Sequence, residues 1–234
     1  MEFFSRNTKS RHEASNRSGL PHALSTEELT RLSRQERDHV IAETARQVLE
    51  TFRSTDAVEY KEIKDMYIAL KGMDILVRRE SPERISEMIQ TNHSFNIDFP
   101  EGQRYSNAVM WNSNLGSRGL ENTYLEGYGQ LNGIVTVFGF APNDSMSIER
   151  LPDATQHFAG LDRTFVRSIQ GAVHPEDVIF ISVRIPIHVL PDEELTEREL
   201  EARDTYNEKR DNRGHTIPTF VHRGFLFSKN LKKQ

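Results

Sequence analysis

The chain has 234 residues, a formal net charge of −5 and no cysteine. This length suits one large domain, or one domain with a helical appendage. The negative charge gives no global attraction to nucleic acid, and we expect no nucleic-acid partner. The lack of cysteine excludes disulfides, a thiol nucleophile and cysteine-ligated zinc. Because no apolar run is long enough to cross a bilayer and polar residues follow Phe3-Phe4 at once, we expect neither a membrane span nor a cleaved signal peptide.

The first third of the chain has two predicted parts. Residues 1–24 scatter Arg and Lys among Ser, Asn and Thr without an apolar period, which predicts a disordered leader. Ser25 and Glu28 form a capping-box pattern that predicts a helix from there to about residue 52. A second helix is predicted from about residue 56 to residue 70, with Gly72 ending it. We therefore interpret residues 25–72 as a helical lobe.

From Met73 onward the pattern changes to short strands. Residues 75–77 are predicted to be a strand, and Ser81 and Pro82 are typical of the cap and first position of a helix over 83–90. Residues 95–122 are rich in Asn, Ser and Gly and are predicted to be mostly irregular. Later elements are strands over 133–140, 178–189 and 219–227 and a charged, solvated helix over 193–210, with Pro186 making the second half of its strand an edge or a bend. Unlike segments separate the strands, which predicts an α+β fold with a mostly antiparallel core.

Three segments of residues 73–185 occur in an informative order. The first strand carries Val77-Arg78 and runs into a helix at Pro82, a middle strand ends in Ala141-Pro142-Asn143, and Gly171-Ala172-Val173-His174-Pro175 leads into a third strand. This order resembles the catalytic domain of ADP-ribosyltransferase toxins and effectors, in particular the cholera and pertussis toxin branch. The resemblance implies a split-sheet core of that type over residues 73–234, and NAD as the substrate.

Site residues follow from this resemblance. It implies that Arg78 anchors the phosphates and ribose of NAD, through the planar fork of donors that suits phosphate. Ser106 is the candidate in the family's Ser-Thr-Ser region, although Tyr105-Ser106-Asn107 does not match that motif well. Trp111 can stack on nicotinamide or pack a loop, and Tyr124 can line the NAD pocket or fill a polar loop. We take all four as candidate NAD-binding residues.

The catalytic carboxylate departs from the family pattern. Asp162-Arg163-Thr164 stands at the acidic loop, and Thr164 occupies the position of the expected glutamate. Either Asp162 is the catalytic acid, with Glu121 or Glu126 as substitutes, or the domain keeps the fold without the activity. The favoured function is transfer of ADP-ribose to a macromolecule by a bacterial toxin or effector. The alternative is a non-enzymatic effector or interaction module that binds a partner protein.

The sequence also gives expectations about metal sites, partners and localisation. The histidines lack metal-ligand spacing, so we predict no metal site. The predicted partner is a protein acceptor, or a host or bacterial protein. We expect secretion or delivery into a target cell without a cleaved signal peptide, with the cytoplasm as the alternative.

Overall fold

The computed structural model describes residues 20–21, 23–70, 72–96, 108–112, 130–151, 164–213 and 219–231. The chain has a mixed α+β fold in which every strand pairing is antiparallel. This confirms the predicted α+β class and its antiparallel core.

Eleven strands are seen in the described ranges. They are β1 Val58–Tyr60, β2 Asp74–Glu80, β3 Phe95–Asn96, β4 Ala108–Asn112, β5 Gln130–Leu131, β6 Ile134–Phe140, β7 Ser147–Leu151, β8 Thr164–Gln170, β9 Ala172–Val173, β10 Val178–Pro186 and β11 Phe220–Leu226. The α-helices are α1 Thr26–Arg31, α2 Arg34–Arg53, α3 Ile63–Ala69, α4 Pro82–Thr91, α5 Glu197–Arg213 and α6 Ser228–Leu231. Short 3-10 turns cover Pro175–Asp177, Ile187–Val189 and Asp192–Glu194.

Among the described residues, the main sheet has nine strands in the order β1-β11-β10-β6-β2-β4-β8-β7, with β5 paired to β6. The three strands expected to belong together, β2, β6 and β10, are direct neighbours at its centre. The register sets Arg79 opposite Val137, and Val137 opposite Ser182. The prediction that these apolar strands form one sheet is therefore confirmed.

The core lies on both faces of this sheet because its central strands carry apolar side chains on each face. All seven residues of β6 are buried. On one face, Leu76 and Phe138 belong to a cluster that includes the buried side of α2 and residues of α4 and α5. On the other face, Ile75 and Val77 belong to a cluster with α3. Successive side chains of β2 thus point to opposite faces, as the two-residue period of a strand requires.

The N-terminal helices differ from the expected single rod. The capping box of Ser25 and Glu28 is present and begins α1. The helix ends at Arg31, and a second capping box, made by Ser33 and Glu36, begins α2. The predicted continuous helix to residue 52 is therefore wrong, because Ser33 takes extended backbone geometry and restarts the chain as a new helix.

The predicted second helix over 56–70 is correct only in its latter half. Val58–Tyr60 forms β1, an edge strand paired with β11, and the helix begins at Ile63. The domain boundaries 1–24, 25–72 and 73–234 stay a prediction. Within the predicted lobe, α2 and α3 pack into the clusters that also hold the strands of the main sheet. Most of the predicted leader lies outside the described residues, and Leu20 near its end is buried in the core.

Later elements follow the sequence with three corrections. Residues 108–112, predicted to be irregular, form β4 between β2 and β8. β10 ends at Pro186, opposite Phe220 of β11, rather than continuing to residue 189, and the 3-10 turn Ile187–Val189 that follows is the bend predicted at Pro186. The helix predicted over 193–210 is α5, and it is partly buried rather than only solvated, since Tyr206 is in the core. Within the described residues, the helices include none that is long and apolar enough to traverse a bilayer.

Candidate functional site

Arg78 lies in a central strand at the point where the pairing of that strand changes. In the described residues β2 pairs with β4 from Asp74 to Val77, whereas its pairing with β6 continues to Glu80, opposite Thr136. The Thr136 hydroxyl donates to the Glu80 carbonyl oxygen and holds this last part of β2 against β6. Arg78 therefore lies two residues before the end of β2. At this position the pairing with β6 continues, whereas the described pairing with β4 has ended.

Arg78 is mostly buried and contacts one carboxylate. Its Nη2 donates to Oε2 of Glu80 at 3.2 Å, and 21% of its side chain is exposed. Burial lowers the pKa of the Arg78 guanidinium and the nearby charge of Arg84 adds to this, while the Glu80 carboxylate opposes it. The guanidinium still carries its charge at neutral pH, since an arginine titrates far above 7. The site thus holds a positive charge that is partly removed from water.

The start of α4 completes this cluster. Ser81 is the N-cap and its hydroxyl accepts from the Arg84 amide, with Pro82 at the first helical position, as predicted. Nη1 of Arg84 donates to the same Glu80 oxygen at 3.1 Å, and the Ser81 amide donates to the other oxygen at 3.1 Å. We call Arg78, Glu80 and Arg84 the arginine–glutamate cluster. It combines two positive charges and one negative charge at the N-terminal end of a helix, where anions are favoured.

Arg78 and Arg79 face opposite sides of the sheet, as the alternation of side chains along a strand requires. Arg78 and Glu80 share the side of Leu76, whereas Arg79 shares the side of Val77 and is buried. The sequence signal of a strand followed by a capped helix was sufficient to find Arg78. Glu80 and Arg84 were not singled out, because their approach to Arg78 depends on how the chain turns at Ser81.

The other predicted site residues are located only in part. Asp162, Ser106 and Tyr124 lie outside the described residues, as do Glu121 and Glu126. Trp111 lies in β4 with its backbone opposite Ile75. Thr164 is the first residue of β8.

The register relates Thr164 to the cluster. Thr164 lies opposite Met110 of β4, which lies opposite Leu76 of β2. Two strand spacings put the backbone of Thr164 about 10 Å from that of Leu76, and Arg78 is two residues along from Leu76. The backbone therefore places the start of β8 two strands away from the central strand that carries Arg78.

A second charged cluster was missed by the sequence reasoning. Arg223 of β11 is fully buried, and its two η nitrogens donate to both carboxylate oxygens of Glu199 in α5, each at 2.9 Å. The same nitrogens donate to carbonyl oxygens of Lys61 and Glu194. Burial tends to raise the pKa of Glu199, but hydrogen bonds from Arg223 and Thr196 outweigh this and hold that pKa below its ordinary value. The Arg223–Glu199 pair ties α5 and the chain before α3 to the sheet, so we interpret it as structural.

The described ranges contain no group of three or more His, Asp or Glu side chains arranged to hold a metal ion. Comparison with models of protein families, with curated proteins and with solved structures finds no match to this chain. The functional assignment therefore depends on the chemistry of the arginine–glutamate cluster and on the order of the elements around it. Two guanidinium groups at a helix start can bind an anion with several oxygens, such as a phosphate.

Proposed function

We propose that this protein transfers ADP-ribose from NAD to a protein acceptor. The observation that carries this proposal is the position of Arg78, a mostly buried arginine near the end of a central strand that runs directly into a capped helix. Arg78 in the first strand, followed by a helix at Pro82, also fits the resemblance described above. The ADP-ribosyltransferase type of the sheet is part of this proposal.

The reaction assigns a role to each residue. Arg78 binds the diphosphate and orients NAD. The bond between C1 of the ribose and the nicotinamide nitrogen breaks, and its electron pair leaves with neutral nicotinamide. The ribose becomes an oxocarbenium-like cation, which the Asp162 carboxylate stabilises by its nearby negative charge. A lone pair of the acceptor then bonds to C1, and the acceptor proton passes to solvent.

The test measures release of nicotinamide from NAD by the full chain, with and without a cell lysate as the source of acceptor. We expect Asp162→Asn to lower turnover at least a hundredfold without unfolding the protein, because electrostatic stabilisation of a developing charge typically contributes that much. Arg78→Lys keeps the charge but loses the bidentate fork, so we expect it to raise the KM for NAD.

Arg46→Lys is the matched control, since Arg46 is an exposed arginine on α2 that pairs with Glu43 and Glu50. Full turnover by Asp162→Asn would move the catalytic role to Glu126 or Glu121.

A binding module with the same fold is the second candidate, and two observations favour it. Thr164 stands where the expected glutamate would be, and Glu80 already occupies a donor of Arg78. In that case a host or bacterial protein partner would cover the Arg78 region. Absence of nicotinamide release with every lysate tested, together with a partner whose binding is lost in Arg78→Glu, would establish this alternative in place of the enzyme.

A further inference from the structure

The last residues of the predicted leader are bound to the body of the protein. We call residues 20–24 the strap, of which residues 20, 21, 23 and 24 are described. The Leu20 side chain is 6% exposed and belongs to the core cluster that also holds residues of α2, β6 and α4. The Leu24 amide donates to Oδ1 of Asn132 at 2.8 Å, although the two residues are 108 positions apart in the chain. The strap therefore has one apolar and one polar attachment to a distant segment.

Asn132 belongs to the tight turn between β5 and β6. Asn132 and Gly133 both have positive φ, 47° and 86°, and Leu131 and Ile134 pair on either side of them. This is a two-residue hairpin turn of the kind that Asn-Gly favours, because both central residues need left-handed backbone. Asn132 is 3% exposed, and its Nδ2 donates to the Thr44 hydroxyl of α2 at 3.1 Å. One amide side chain thus joins the strap, the hairpin turn and α2.

β5 lies in the sheet where β2 has ended. β2 pairs with β6 as far as Glu80, and β5 pairs with the two residues of β6 that come next in the sheet, Val135 and Ile134. Because β10 pairs with Val135 from the other side, β5 is on the same side of β6 as β2. β5 also packs against α4, and its Leu131 is fully buried. The hairpin is therefore next to the point at which β2 passes into α4, two residues beyond Arg78.

We propose that the strap is a regulatory element: its docking holds the ligand site at Arg78 in its binding geometry, and its release weakens that site. With the strap docked, Asn132 fixes the hairpin, and β5 supports the start of α4 beside Arg78. When the strap leaves, the hairpin loses its bond to Leu24 and the anchor of Leu20, so β5 and the first turn of α4 open more often. Because coupling between two sites is reciprocal, a ligand at Arg78 also favours the docked strap.

That the ligand is a nucleotide diphosphate rests on the proposed function, whereas the coupling of strap, hairpin and α4 does not. Hydrogen exchange of the ligand-free full chain at pH 7, followed by mass spectrometry, tests this coupling. Leu20→Ser removes the apolar anchor, and losing the burial of one leucine weakens docking by about tenfold or more. We therefore expect amides of residues 130–136 to exchange about tenfold faster than in the unchanged protein, and those of residues 81–91 about threefold faster.

Two further variants separate the strap from a general effect. Leu29→Ser is the matched control, since it makes the same substitution at a partly buried leucine of α1, the helix after the strap. We expect it to leave exchange in both segments within about twofold of the unchanged protein. Asn132→Gly preserves the positive φ of the turn but removes the acceptor of the Leu24 amide, and residues 81–91 should again exchange about threefold faster.

Calorimetric titration of the full chain with ADP tests the link to the ligand site. We expect Leu20→Ser to bind ADP about threefold more weakly than the unchanged protein and Leu29→Ser do. The same coupling predicts that ADP slows amide exchange in residues 20–24 of the unchanged protein.

Faster exchange confined to residues 20–24 in Leu20→Ser and to the turn in Asn132→Gly would overturn the proposal, because the strap would then be only a tether. Equal ADP affinity in Leu20→Ser and the unchanged protein would overturn it as well. General unfolding of Leu20→Ser would appear as faster exchange in β10, and Asn132→Gly then decides. If no folded variant binds ADP, the proposed function fails at Arg78, and the exchange pattern alone decides the coupling of the strap.

Discussion

Two buried arginines of this chain differ in how fully their donors are engaged. Arg223 is fully buried and saturates both oxygens of Glu199. Arg78 keeps a fifth of its side chain exposed and gives one long bond to Glu80, while the buried Nε of both arginines has no acceptor in the described residues. An arginine whose η nitrogens are fully engaged is part of the fold, whereas one with a single long bond can take a ligand. This difference in engagement is what favours Arg78 as the functional arginine.

Arg78 was predictable from the sequence, and its partners were not. The apolar run before it and the Ser-Pro start of α4 after it are local signals. The convergence of Arg78 and Arg84 on Glu80 depends on a turn geometry that no residue type specifies. The role of Arg223 could not be predicted for a related reason, because its partners Glu199, Glu194 and Lys61 are distant from it in the chain.

We predict that His222 makes stability depend on pH. Burial lowers the pKa of His222 to about 4, and the positive charges of Arg184 and Arg223 contribute to this. In the unfolded chain its pKa is about 6.5, so between these values the unfolded state binds a proton that the native state does not. This contribution to the free energy of unfolding is fully present above pH 6.5, and about 3 kcal/mol of it is lost as the pH falls to 4.

Urea unfolding of the unchanged protein and His222→Gln at pH 7, 5.5 and 4 measures this effect. We expect the loss of stability on acidification to be smaller in His222→Gln by that amount. His93→Gln, on the exposed segment after α4, is the matched control for exchanging a histidine for glutamine. The same acid sensitivity in His222→Gln and in the unchanged protein would contradict the assignment.

At the scale of elements, local chemistry was more informative than periodicity. The capping box of Ser25 and the cap at Ser81 placed two helix starts correctly. The second capping box, at Ser33 and Glu36, is equally visible in the sequence, but the apolar residues on both sides of it predict one continuous helix. β1 was missed because Val58 and Tyr60 also fit a helical period, and a three-residue edge strand is defined by its pairing with β11. β4 was missed because its β-forming residues, Val109 to Trp111, lie among Asn and Ser, which favour loops.

The link between β11 and α5 gives a prediction for stability. Arg223→Met should lower the free energy of unfolding by about 3 kcal/mol, because it leaves the Glu199 carboxylate partly buried without its partner. The double variant Arg223→Met with Glu199→Met should recover part of this loss, since it leaves neither the guanidinium nor the carboxylate buried without its partner. Denaturant unfolding at pH 7 measures both, and an equal or larger loss in the double variant would contradict this explanation. Arg46→Met, on the exposed side of α2, should leave the unfolding midpoint unchanged.

The pairing of β6 with β10 gives a second prediction at this scale. A Cβ added to Gly139 would overlap the Phe180 ring, so the strands require a glycine there. Gly139→Ala should lower the free energy of unfolding by about 2 kcal/mol or more through overpacking. Adding Phe180→Leu to Gly139→Ala should recover part of the loss because the smaller side chain vacates the overlap. Thermal unfolding of the single and double variants tests this, and an unchanged midpoint in Gly139→Ala would contradict the described packing.

At the scale of the whole molecule, one sheet unites segments that the sequence suggested were separate. β1, from the predicted helical lobe, and β11, near the C-terminus, extend the same sheet that carries Arg78 at its centre. The α+β class followed from the irregular alternation of strand and helix signals. The order of strands could not be derived, because it depends on pairings between distant segments. For the same reason the sequence could not show that β8 begins two strands away from β2.

The most direct measurement is the thermal unfolding midpoint of the full chain with and without NAD. A ligand that binds only the folded state must stabilise it, by about 2.7 kcal/mol at a hundred times its dissociation constant. We predict that millimolar NAD raises the midpoint by several degrees in the unchanged protein and in Arg46→Lys, and by much less in Arg78→Lys. An equal rise in Arg78→Lys, or no rise in the unchanged protein, would contradict an NAD site at Arg78.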